Sequence, residues 1–227
     1  MKLCVWNVGS LNNKIDDLIS VFTDGDTDVA IIPETWLTSQ GNKTTATLKE
    51  QGYKINHVIR NDPERERGGG VGIITKKSIK TKPVKTKMFS SFQHVGVQLP
   101  HTNNNNKLIV VCIYRLLYVH VITFLQEFAE FLEIISISSN NLIIAGDINI
   151  HMETQEMPSI ELTKLLDMFN LKQHVSKPTH IHGHTIDAVI TRLDDPNYIE
   201  NMMIEHLLGI HHFKISFVTH LLQNNLN

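Results

Sequence analysis

The apolar run Leu142-Ile143-Ile144-Ala145-Gly146 breaks off into Asp147-Ile148-Asn149, the pattern of a buried strand that delivers polar side chains to a sheet edge. Two residues apart on extended backbone, Asp147 and Asn149 share a side, one able to hold a proton or a metal and the other to hydrogen-bond an anion. The same ending recurs. Lys2 to Trp6 stops at Asn7, Val29 to Ile32 stops at Pro33-Glu34, the apolar stretch from Leu108 reaches Tyr114, Asp187 enters the run Ile186 to Thr191, and His211-His212 stand before the last apolar run. Singly, each residue has an ordinary explanation: an Asx turn after a strand, a helix-start acid at Glu34, a half-buried strand aromatic at Tyr114, a surface histidine at His211. Together, Asn7, Glu34, Tyr114, Asp147, Asn149, Asp187 and His211 are seven polar groups at strand ends, where α/β sheets gather a site.

The elements that must position them alternate along the chain. Ile15, Leu18, Ile19 and Phe22 take the i, i+3, i+4, i+7 spacing of an amphipathic helix after the first strand, and Phe124, Leu125, Phe128, Phe131, Leu132 and Ile135 make a second. Leu162, Leu165, Leu166 and Phe169 predict a third, with Ser159 as its N-cap. Tyr53 to Ile59 and Val71 to Ile74 read as strands on either side of a charged loop, 61–67. The run Gly68-Gly69-Gly70 leads into a strand and lacks a following Gly-Lys-Ser/Thr, so it predicts a bulge or tight turn and not a phosphate loop. Period-2 patterns at Val84–Met88, Val95–Leu99 and Leu108–Tyr114 predict an antiparallel meander with Asn103 to Asn106 at a hairpin tip. The Leu142 strand runs to Ile150, and Phe213 to Leu221 closes the chain.

Composition bounds the partners. With 227 residues, 41% hydrophobic and 19% charged, the chain can bury a large core, and with no linker or repeat it reads as one domain over 1–227. A net charge of −2 gives no global attraction to a polyanion. Only a local patch could, and Lys76, Lys77, Lys80, Lys82, Lys85 and Lys87 are the candidate, either a phosphate-contacting face or a lysine-protected sheet edge. Cys4 and Cys112, the two cysteines, sit in apolar runs and predict buried thiols in a reducing, intracellular setting, with nucleus and cytoplasm indistinguishable. The N-terminus turns polar too early for a signal peptide. Arg115 and His120 interrupt the most apolar region, so no membrane span and no membrane partner are expected. Nothing implies an obligate protein partner.

The blocks Trp-Asn-Val-Gly-Ser-Leu (6–11), Ile-Pro-Glu-Thr-Trp-Leu (32–37), Arg-Gly-Gly-Gly-Val-Gly-Ile (67–73), Ile-Tyr-Arg (113–115), Ile-Ala-Gly-Asp-Ile-Asn-Ile-His (144–151), 173–191 and His-His-Phe-Lys-Ile-Ser-Phe (211–217) resemble, in this order, the endonuclease/exonuclease/phosphatase superfamily. The likeness is strongest to the apurinic-endonuclease-like domain of non-long-terminal-repeat retrotransposons. It implies an α/β fold of the α+β type, a four-layer sandwich of two mixed sheets face to face with helices outside. It also implies Mg²⁺-dependent cleavage of a DNA phosphodiester, with Mn²⁺ as a substitute and the DNA phosphate backbone as the partner. By resemblance, Glu34 with Asn7 ligates the metal, Asp147 activates water, Asn149 holds the water or the phosphate, and Tyr114 hydrogen-bonds the phosphate. His211 stabilises the developing charge, its tautomer set by Asp187.

Two departures from the family pattern carry expectations. Gly209-Ile210-His211 falls on the family's Ser-Asp-His, so Ile210 replaces an acid and should weaken metal binding and turnover, which Ile210→Asp would restore. Tyr114-Arg115-Leu116-Leu117 replaces Tyr-Arg-Pro-Pro beside the phosphate. The chain also ends after its last strand, as a free-standing unit or a relic of a larger polyprotein would. Two other readings go with the resemblance: an inactive relic that keeps DNA binding, and a phosphoesterase acting on another phosphoester. His180, His182 and His184 alternate as the zinc-binding face of a strand would, but no cysteine or acid stands nearby in sequence, and the reading is against zinc.

Overall fold

The computed structural model describes residues 1–38, 42–60, 68–99, 107–138, 141–194, 199–207 and 209–219. The charged loop 61–67, the asparagine run 103–106 and the end of the closing strand lie outside these. In chain order the elements begin with β1 (Lys2–Val5), α1 (Ile15–Thr23), β2 (Val29–Pro33), α2 (Lys43–Glu50), β3 (Tyr53–Val58) and β4 (Val71–Lys76). The middle of the chain gives β5 (Lys82–Val84), β6 (Phe92–Leu99), β7 (Leu108–Arg115), α3 (Val121–Ser138) and β8 (Asn141–Asp147). Then follow α4 (Met157–Met168), β9 (Leu171–Gln173), β10 (Asp187–Arg192), β11 (Ile199–Glu205) and β12 (Lys214–Thr219).

Side-chain alternation explains the layering. On β1, Leu3 and Val5 point one way and Cys4 and Trp6 the other, and both sets are buried. The first set meets Val110, Cys112, Ala145 and Val189 of the facing sheet, and the second packs on Leu18 and Phe22 of α1 and Leu48 of α2. On the other sheet, Ile109, Val111, Ile113, Leu142 and Ile144 turn outward onto Phe124, Phe128 and Phe131 of α3 and Leu162 of α4. The result is helices, sheet, sheet, helices. One sheet has the order β11-β12-β1-β2-β4-β3 and the other β5-β6-β7-β8-β10-β9. Both are mixed, because β1 and β2 run parallel, as do β7 and β8, while their neighbours run antiparallel. The expected four-layer sandwich is therefore the fold, and both cysteines are buried free thiols.

Several boundaries differ, each for a local reason. Helix α4 starts at Met157 and not after Ser159, because Pro158 suits the first turn, where its missing N–H costs nothing; the Ser159 hydroxyl instead donates to Met152 O. Helix α2 has little apolar periodicity but is capped by Asn42, whose side chain accepts from Thr45 N at 2.9 Å. The expected strand at 84–88 reduces to the edge strand β5, where Pro83 is tolerated. Three of the six lysines are engaged within the protein: Lys76 pairs with Asp26 and Asp28, Lys87 with Glu130, and Lys77 donates to a backbone carbonyl. No helix among the described residues is long and apolar enough to cross a membrane.

Candidate active site

Strand register assembles the site. Tyr114 pairs with Asp147 across β7 and β8, and Asp147 with Asp187 across β8 and β10, so one row of three polar side chains crosses the second sheet. The first sheet faces it with the ends of its parallel pair. Asn7 lies two residues past β1 in the same phase as Val5, and Glu34 follows β2 directly.

Asp147 is only 1% exposed. One carboxylate oxygen accepts from Asn7 Nδ2 at 3.0 Å, and the other accepts from the backbone N–H of Asn149 at 3.0 Å. The second bond corrects the reading of Asp147 and Asn149 as one strand face. The strand stops at Asp147, and Asn149 turns left-handed with φ +50° in an Asx turn. Its side chain then donates to Arg115 O at 3.2 Å, away from Asp147. Arg115 holds this turn from below: buried, it donates to Ile148 O and Asn149 O, each at 2.9 Å.

Glu34 has φ +54°, an uncommon conformation for a residue with a side chain. Its surroundings impose it, because Thr35 N donates to Gly70 O and Trp36 N to Gly69 O. A Cβ at Gly70 would stand 2.6 Å from the Thr35 hydroxyl. The glycine run is thus the tight approach expected, and it sets the backbone that presents Glu34. The Tyr114 hydroxyl donates to the Glu34 carboxylate across the two sheets. Burial, with the Glu34 charge, holds the Tyr114 phenol far above its usual range, so it stays a donor.

The histidine in the site is His212. Its Nδ1 contacts Asp187 Oδ2 at 3.0 Å, and its Nε2 lies 3.4 Å from Asn7 Nδ2 and 3.8 Å from Asp147 Oδ2. His211, the expected residue, is exposed and stands outside this set. A backbone bridge between His180 and His212 fixes the register, with Phe213 N donating to Thr179 O and Ile181 N to His211 O. The terminal motif therefore sits one residue further along than read. His211 precedes the site histidine, and Ile210 is buried against Trp6, Leu18 and Val21, so an acid at 210 would be forced into an apolar cluster and could not reach the carboxylates. Two adjacent histidines carry the same chemistry in sequence, and only pairing with Thr179–His180 separates them. Thr179 is a second residue without a sequence signal: its hydroxyl oxygen accepts from Ile186 N and Asp187 N, anchoring the strand start that carries Asp187.

The electrostatics are those of a site crowded with negative charge. Burial, then the neighbouring Asp187 charge, pushes the Asp147 carboxyl up to about 7. Burial alone would lower His212, but the hydrogen bond and charge of Asp187, with Asp147 and Glu34, outweigh it and raise the imidazole to about 9. Because the folded value lies above the usual 6.5, this stabilisation is complete below pH 6.5 and lost as pH rises through about 9. In chelator, the urea midpoint should therefore fall between pH 6 and pH 8.5, His212 contributing about 2 kcal/mol of the change. His212→Gln should flatten that dependence; an unaltered slope would contradict the pairing.

The donor atoms of Asp147, Asp187 and His212 all lie within 4.8 Å of one another. Asp187 Oδ1 is buried with no hydrogen-bond partner among the described residues, and an orphaned carboxylate oxygen beside a second buried acid, Asp147, is a place for a cation. Oxygen donors from Glu34, Asp147, Asp187 and the Asn7 amide suit a hard divalent ion.

Comparison with solved structures places the whole fold. The endonuclease domain of TRAS1, a telomere-specific non-LTR retrotransposon, superposes with a TM-score of 0.74 at 13% identity over 97% of this chain and 98% of that one. The 3′ phosphatase NExo from Neisseria, bound to a product DNA hairpin, gives 0.72 at 14% identity over 97% and 99%. D. rerio TDP2, complexed with a single-stranded DNA product, gives 0.68 at 15% identity over 96% and 97%. No curated protein matches the sequence itself. The model of the Endonuclease/Exonuclease/phosphatase family matches residues 4–198, and with the sandwich and the paired strand ends in place, the chain belongs to that family.

Proposed function

We propose that the chain is a Mg²⁺-dependent phosphodiesterase that nicks DNA by attack of an activated water. The observation that carries this is the meeting of Asn7 and Glu34 from one sheet with Tyr114, Asp147 and the Asp187–His212 pair from the other. Asp147 accepts the proton of the attacking water; its carboxyl, raised by burial to about 7, is matched to that work near neutral pH. His212, kept charged by Asp187, donates from Nε2 toward the charge that develops on the phosphoryl oxygens. Asn7 Nδ2 stands 3.4 Å from that nitrogen while donating to Asp147. Tyr114 adds a third donor, and Asn149, through its Asx turn, holds the backbone N–H that orients Asp147. Glu34 and Asn7 would hold Mg²⁺, with Mn²⁺ as a substitute, which would supply Lewis-acid charge to the reacting phosphate. DNA is the favoured substrate because similar folds have been captured on DNA products.

The test is relaxation of supercoiled plasmid by the purified chain, with Mg²⁺ or with EDTA, beside a panel of inositol, sugar and lipid phosphoesters. Mg²⁺-dependent nicking is expected. Turnover of only a non-nucleic phosphoester would move the substrate, and salt-sensitive DNA binding with no turnover of anything would identify an inert relic.

A further inference from the structure

His151, Glu153 and His184 form a second cluster outside the catalytic set. Thirty-one residues separate Glu153 from His184, yet Glu153 Oε1 lies 2.7 Å from His184 Nδ1. The His151 and His184 rings stack with centroids 3.8 Å apart, and the donor atoms of all three residues lie within 4.8 Å of one another. Residues 181–183 turn after the His180 bridge and do not continue as a strand, so the three alternating histidines divide: His180 lies against His212, His182 is exposed, and His184 meets the acid that sequence spacing did not supply.

We infer that His151, Glu153 and His184 form a binding site for a borderline transition-metal ion of the Zn²⁺ class. Two imidazoles and one carboxylate leave a fourth tetrahedral position open. Such a donor set prefers Zn²⁺, Ni²⁺ or Cu²⁺ to Mg²⁺, which dislikes nitrogen donors. The backbone beneath is already joined, since Met152 N donates to Thr185 O at 3.1 Å and Ile148 N to Ile186 O at 3.0 Å. Glu153 is aimed by its other oxygen, which accepts from Thr185 N at 3.0 Å. Imidazole coordinates in its own ring plane, so the parallel rings must tilt out of their stack. Both have that freedom, since His151 is exposed and His184 is 39% exposed. A bound ion would tie the turn after β8, which holds Asn149, to the segment entering β10, which holds Asp187. The site would then brace two strand ends of the catalytic row without touching the reacting groups.

The test uses the chelator-stripped full chain in a Glu34→Ala, Asp187→Asn background, which disables the neighbouring set, its proposed Mg²⁺ ligand Glu34 included. Zn²⁺ binding is followed by calorimetry, and Co²⁺ binding by its visible absorption. One ion should bind, the melting temperature should rise with Zn²⁺ but not with equimolar Mg²⁺, and His184→Ala or His151→Ala should weaken binding more than about tenfold with an unchanged circular dichroism spectrum. His182→Ala should leave it intact. Equal affinity in His184→Ala and its parent, or loss of binding with His182→Ala, would overturn the assignment, as would an absence of Zn²⁺ binding below millimolar concentration.

Discussion

Asp147→Ala is expected to lower Mg²⁺-dependent nicking by about 10³-fold or more, His212→Ala by about 10²- to 10³-fold, and His211→Ala by less than about threefold. The ranking follows from what each side chain touches. Removing Asp147 deletes the carboxylate bonded by both Asn7 and the Asn149 N–H, so in the proposed mechanism the water loses its base, and the two donors lose their acceptor. Removing His212 deletes the charged donor and leaves Asp187 buried with both oxygens unpaired. Because His212 and Asp187 act as a unit, the double variant should be little worse than either single one. His211 donates nothing to the set, and its exposure makes substitution cheap. Initial nicking rates at saturating Mg²⁺ decide the matter: a His211 variant as impaired as the His212 variant would return the motif to its earlier register.

The layers and the meeting of most of these polar residues were legible in the sequence, because a strand buried on both faces must be apolar throughout and a polar residue at its end must therefore emerge at a rim. That reasoning singled out Asn7, Glu34, Tyr114, Asp147 and Asp187, which the fold brings together. It failed where the deciding fact was a contact between distant segments. Nothing local distinguishes His211 from His212, since the choice is made by a bridge to His180. Nor could spacing show Glu153 beside His184, because two turns brought together by β8 and β10 are far apart along the chain. Asn149 is a different failure. Its period-2 relation to Asp147 held only while the backbone stayed extended, and the backbone did not, since the Asp147 carboxylate captured the Asn149 N–H and ended the strand. Helix α2 was missed because one cap and one buried leucine stabilise it, with no apolar stripe to read.

Gly146→Ala should destabilise the chain by about 4 kcal/mol, a large part of the 5–15 kcal/mol typical of a domain. Two costs add. Gly146 has φ +141°, a conformation open almost only to glycine and worth about 1–3 kcal/mol to any other residue. A Cβ there would also meet the carbonyl oxygen of Ile113 at 2.0 Å and its backbone carbon and nitrogen at 3.0 Å. Backbone cannot step aside as a side chain can, so β8 would have to part from β7 at the point where Asp147 pairs with Tyr114. For a chain of this length the melting temperature should fall by about 8–16 °C, and the protein that remains folded should nick poorly, because Asp147 is the next residue. Gly183→Ala separates the two costs. Its φ is +84° but nothing lies within 4 Å of the added carbon, so it should carry the conformational cost alone, about 1 kcal/mol. Equal losses in the two variants, measured by urea unfolding, would mean that the close approach of β7 and β8 contributes nothing to how Asp147 is placed.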